Sequence, residues 1–130
     1  MKTIDFSTLL GKTLTLIEMA PSNETITFVT DEGKKYLMCH EQDCCESVSV
    51  EDICGDLNLL IGAPILMAEE SVFEREDPEG FVPKEDFYRD DSFTWTFYKL
   101  ATSKGYVTIR WYGSSNGYYS EDVSFMEVKS

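Results

Sequence analysis

Basic residues are scarce in this 130-residue chain, where 11 Lys and Arg stand against 24 Asp and Glu alongside a single histidine. A formal net charge of −13 has the wrong sign for unassisted nucleic-acid binding, whose affinity comes from neutralising phosphates, and it disfavours anionic membrane surfaces for the same reason. Long apolar runs are also missing. The longest, Leu59–Met67, is broken by Gly62 and Pro64, well short of the roughly 20 apolar residues of a membrane-spanning helix. Met1–Gly11 has neither an apolar stretch nor a small-residue cleavage site, so it does not read as an export signal. Repeats, low-complexity tracts and Gly/Ser linkers are absent. So are a Walker loop, a dinucleotide fingerprint and H-E-x-x-H. These absences lead us to expect one acidic domain over residues 1–130, in the cytoplasm, with no cofactor, no direct nucleic-acid contact and no membrane contact.

What the chain does have is rings and unevenly placed charge. Aromatic residues make up 13%, enough apolar surface to offset the entropy of ordering. Residues 41–91 hold sixteen acids against Arg75, Lys84 and Arg89, so the whole charge imbalance sits in that stretch. A field of one sign serves solubility, and it also serves to meet a surface of the opposite sign.

The pattern of apolar residues is that of strands. Asp5–Leu10 reads as a helical turn stopped by Gly11. Lys12–Met19, Glu24–Thr30 and Lys34–His40 alternate as three consecutive strands, with Asp31-Glu32-Gly33 as a tight connection. Ser47–Val50 reads as a short strand. Asp52–Ile61 has helical spacing at Ile53, Leu57, Leu60 and Ile61, with Asp52 as cap and its regular part starting near Asp56. Ile65–Phe73 reads as a strand, and Glu74–Asp91 as a charged surface loop. Ser92–Ala101 places Phe93, Trp95 and Phe97 on one face and Thr94, Thr96 and Tyr98 on the other. A Ser103-Lys104-Gly105 turn leads to Tyr106–Tyr112, Gly113–Gly117 turns again, and Tyr118–Val128 closes a second meander. Counted from that three-residue turn, Trp95 and Trp111 are expected to share the core face; the alternative is that the Thr94, Thr96 and Tyr98 face is buried and the tryptophans form an exposed binding patch. The expected fold is α+β, a mostly antiparallel sheet with one or two short helices and with curling toward a barrel left open.

Several constellations invite a chemical reading. His40, Asp43, Cys44, Cys45 and Cys54 are zinc-type ligands, but the second C-x₂₋₄-C hook is missing and adjacent cysteines are expected to point apart. Cys39 and Cys54 are expected as small core hydrophobes, and all four cysteines as free thiols. A Cys–His nucleophilic pair would have to use His40. Asp43, Glu46, Glu51, Asp52 and Asp56 lack the EF-hand spacing for a hard cation. Tyr98, Tyr106, Tyr112, Tyr118 and Tyr119 are candidates for an exposed contact surface.

Two stretches, Cys39–Glu70 (CHEQDCCESVSVEDICGDLNLLIGAPILMAEE) and Thr94–Phe125 (TWTFYKLATSKGYVTIRWYGSSNGYYSEDVSF), resemble a family of small phage- and prophage-encoded domains of unknown function. The likeness covers most of Lys12–Val128, and it implies a bacterial or phage setting without any catalytic assignment. The resulting expectation is a non-enzymatic accessory protein that binds a host protein, such as a nuclease or CRISPR effector, by imitating nucleic-acid charge. Glu69, Glu70, Glu74, Glu76, Asp77, Glu79, Asp90 and Asp91 would present that charge. Two other readings stand beside it: a metal-binding module or small enzyme centred on His40, Asp43, Cys44 and Cys45, and a virion or assembly component.

Overall fold

Alternating short strands with tight turns give two antiparallel sheets. A computed structural model describes residues 2–78, 92–117 and 119–128. In chain order its strands are β1 (Lys2–Thr3), β2 (Leu14–Met19), β3 (Thr25–Thr30), β4 (Lys35–Cys39), β5 (Ser47–Cys54), β6 (Met67–Glu74), β7 (Ser92–Thr102), β8 (Gly105–Ser115) and β9 (Ser124–Val128). One sheet runs β1-β9-β4-β3-β2 and the other β5-β8-β7-β6. Neither closes into a barrel. Among the described residues the only helical pieces are two 3₁₀ turns, Phe6–Leu9 and Leu57–Leu60, so the α part of the expected α+β class is absent. No helix among them is long and apolar enough to cross a membrane.

Asp5 starts the first 3₁₀ turn as its cap, accepting from Ser7 N–H. The meander β2-β3-β4 forms where alternation is clearest, and Gly33 at φ +84° supplies the left-handed residue that its tight β3–β4 connection requires. The Asp52–Ile61 helix does not form. β5 continues through Cys54 with a bulge between Val50 and Asp52, and the cap is Asp56, which accepts from Asn58 N–H ahead of the short turn. The bulge brings both Glu51 and Asp52 to Arg110.

The second expected meander is also replaced. β8 runs on through Ser115, and the chain then crosses to the first sheet, where β9 pairs with β1 and β4. Gly113 permits the crossing. A Cβ there would stand 3.0 Å from the Glu121 carbonyl oxygen and 3.0 Å from a Val48 methyl group, so a side chain would force these neighbours to give by a few tenths of an ångström.

The two sheets meet through rings. Phe6 lies 4.7 Å from Tyr98 of one sheet and 5.2 Å from Phe125 of the other, and Phe125 also packs on Tyr36 and Phe28. Trp111 Nε1 reaches the Met38 sulfur at 3.2 Å across the interior. Trp95, however, does not share this face. The β7–β8 turn has two residues rather than three, because Thr102 pairs with Gly105, so Trp95 lies opposite Tyr112 and Trp111 opposite Thr96. One residue of turn length reverses the relative facing of the two strands. Trp95 is nevertheless buried on the outer face, where its Nε1 donates to Asp77 at 3.1 Å, Tyr112 lies 4.5 Å away and the Arg110 guanidinium stands 5.3 Å over its ring. The Thr94, Thr96 and Tyr98 face turns inward.

Candidate functional site

The loop from Glu41 to Glu46 folds around one carboxylate. Glu46 is buried and accepts from Cys44 N–H at 2.8 Å, Asp43 N–H at 3.1 Å and the Gln42 side-chain amide at 3.0 Å. His40 Nε2 lies 2.9 Å from its second oxygen, while His40 Nδ1 lies 2.7 Å from the Asp122 carbonyl oxygen. A carbonyl and a carboxylate both act as acceptors, so both ring nitrogens face acceptors and both are engaged. Burial opposes ionisation of Glu46, but the Cys44 amide, the His40 ring and further backbone amides outweigh it and hold the carboxyl at about 2. His40 therefore ties the β4–β5 loop to the β8–β9 crossover. With both nitrogens engaged, it offers no free base.

The remaining members of the proposed Cys/His cluster do not assemble into a ligand set. Cys44 and Cys45 are joined to each other, which overturns the expectation that these neighbours point apart and that all four thiols are free. Cys54 lies at the opposite end of β5 and is exposed, not part of the core; Cys39 is half-buried, and burial followed by Glu41 pushes its thiol up. No three His, Cys, Asp or Glu side chains among the described residues gather to hold a metal ion.

Because the Glu46 carboxyl sits below its ordinary value of 4.5, its contribution to stability is complete above about pH 4.5 and is lost as pH falls toward 2. Asp5, lowered by its Ser7 hydrogen bonds, acts in the same direction. Urea unfolding across this range should show an acid limb that Glu46→Gln flattens in part. An unchanged limb in the variant would contradict the cage.

Acidic side chains collect at a different place, the edge strand β6 and the end of the sandwich beside it. Glu69, Glu70 and Glu74 lie on β6, with Glu76 and Asp77 just beyond, and all five are exposed. Glu79, Asp90 and Asp91 fall outside the described residues. Strand alternation divides the rest. Glu69 pairs across from Lys99 on the outer face, whereas Glu70 and Glu74 face inward opposite Tyr98 and Thr94. Inward of β6 a cleft of about 410 Å³ is lined by Glu70, Val72 and Thr96 together with Asp5 and Asp122. Among the described residues no Lys or Arg lines it. Paired with Glu70 across the strands, Tyr98 is buried and donates toward the Val123 carbonyl at 3.4 Å. Burial, then Glu70 and Asp122, push this phenol well above its ordinary value, so it stays a donor.

A neighbouring recess contains Glu74 and the buried Glu121, which accepts from Thr94 Oγ1 at 2.7 Å and Ser115 Oγ at 2.6 Å. Asp5, Glu121 and Asp122 were not among the residues expected to carry the site. They arrive from the first turn and from the crossover, and nothing local in the sequence places them beside β6. Of the tyrosines expected on a contact surface, Tyr98 is buried, Tyr106 is exposed, Tyr112 and Tyr119 are half-buried, and Tyr118 lies outside the described residues.

The profile of a family described as "Domain of unknown function (DUF7448)" matches residues 7–125. No curated protein and no solved structure matches the chain.

Proposed function

Because this chain belongs to the DUF7448 family, whose description assigns no activity, we propose its function from its own residues: it is a small accessory protein of phage type that acts by binding a host protein. In this reading its carboxylates occupy a basic surface that otherwise holds nucleic-acid phosphates, such as that of a nuclease or CRISPR effector. The observation that carries the reading is the run of exposed carboxylates Glu69, Glu70, Glu74, Glu76 and Asp77 along one edge of a packed β-sandwich. Charges held on a folded scaffold lose little freedom on docking, and a field of one sign speeds encounter with its opposite.

Paired capture from bacterial lysate tests this, with the parent chain and a Glu69/Glu70/Glu74/Glu76→Gln variant as baits. The expected result is a basic, nucleic-acid-binding protein that the parent retains, the variant loses, and added DNA or RNA displaces. Identical sets of proteins on both baits, undisturbed by nucleic acid, would overturn the proposal.

A further inference from the structure

We propose that β6 accepts a strand from the partner, and that this strand is basic on the side facing the cleft. The inference rests on the reading of the acidic edge as a protein-binding surface and specifies its occupant. β6 ends the second sheet, with β7 on one side and no strand on the other among the described residues. The Arg75 N–H donates to the Phe93 carbonyl at 2.7 Å, continuing the β6–β7 register by one residue. In an antiparallel ladder the residues that turn their backbone groups toward the neighbour alternate with those that turn them away. Counting back from Arg75, Phe73 and Ser71 direct their amides and carbonyls at β7. Glu70, Val72 and Glu74 direct theirs outward, where no backbone group among the described residues takes them up.

The outward-directed residues are the ones whose side chains face the cleft. A strand added here would therefore place every second side chain over Glu70, Asp122 and Asp5, where lysine or arginine is the complement. Its alternate side chains would lie beside Phe73. Val72 and Phe73, 48% and 37% exposed, are large apolar residues on an open edge, an arrangement that invites strand pairing. The same carboxylates repel an identical acidic edge, so a second copy of this chain is disfavoured as the occupant. Main-chain bonds along the edge would supply affinity, and the alternating side chains register and specificity.

The test titrates the full chain, labelled for amide NMR, with a ten-residue peptide of alternating lysine and valine. Binding should protect the Glu70, Val72 and Glu74 amides from exchange. In the added strand, lysines facing the cleft present their own amides to β6, so methylating the lysine backbone nitrogens should weaken binding by about tenfold or more, the loss of a few charge-neutral hydrogen bonds. Val72→Pro removes one outward N–H at a position where an edge strand tolerates proline, and it should weaken binding in the same way. Glu70→Gln with Glu74→Gln should weaken it through charge alone.

If the methylated peptide binds the unaltered protein as well as its parent does, while the glutamine variant binds poorly, strand addition is overturned and the acidic-surface reading stands. If neither change matters, that reading falls too. Absence of any binding by the alternating peptide also overturns the proposal. Because the methylated peptide acts on the unaltered protein, the test holds even if Val72→Pro fails to fold.

Discussion

Trp111→Ala is expected to remove roughly 3–5 kcal/mol of stability, the usual cost of truncating a fully buried aromatic ring. The ring has no exposed surface, contacts Met38 of the opposite sheet and lies in the cluster that joins the two sheets. Against the roughly 5–15 kcal/mol that holds a domain folded, such a loss is a large fraction of the total. Trp95 is equally inaccessible but on the outer face, held by Asp77, Tyr112 and Arg110. The gentler pair Trp95→Phe and Trp111→Phe separates the two environments. With the rings on opposite faces of one sheet, their effects on urea midpoints should add to within about 0.5 kcal/mol in the double variant. A coupling well beyond that would mean that the rings touch and would contradict the two-residue β7–β8 turn. Each single-tryptophan protein should also emit as a buried indole, shielded from soluble quencher.

The tryptophans show how far local pattern carries and where it stops. Alternation within Ser92–Ala101 and within Tyr106–Tyr112 correctly separates the two faces of each strand, because side-chain direction along a strand is a local property. Relating one strand to the next depends on turn length, and Ser103-Lys104-Gly105 reads equally well as two turn residues followed by the first residue of β8. The Thr25–Thr30 and Lys35–Cys39 hairpin suffers no such ambiguity, since Gly33 marks its turn. At Asp52–Ile61 the helical spacing of Leu57 and Leu60 is real but serves a single 3₁₀ turn. Ile53 belongs to β5, which pairs with β8 some 56 positions away.

The candidate site divides in the same way. The acid-rich segment is visible in composition, and β6 is visible as a strand. The cleft is not, because Asp5 and Asp122 come to Glu70 from opposite ends of the chain. The crossover that delivers Asp122 depends on pairing between β9 and β4, which no local pattern announces. Glu46 likewise looks like one more solvated acid, although it is the buried centre of its loop.

The central claim is that the carboxylates along β6 steer a basic partner onto this edge, and association kinetics test it most directly. Between 0.1 M and 1 M salt the screening length shrinks from about 10 Å to about 3 Å, and electrostatic steering accounts for roughly 10- to 1,000-fold in on-rate. The partner retained by the parent bait should therefore associate with the parent at a rate that falls at least about tenfold over that range. The Glu69/Glu70/Glu74/Glu76→Gln variant should associate slowly at low salt and respond little to added salt, with its dissociation rate changed much less than its association rate. Stopped-flow mixing at the two ionic strengths measures both rates. Equal association rates for parent and variant at low salt, with the same salt dependence, would contradict the claim and leave the acidic edge as a device for solubility alone.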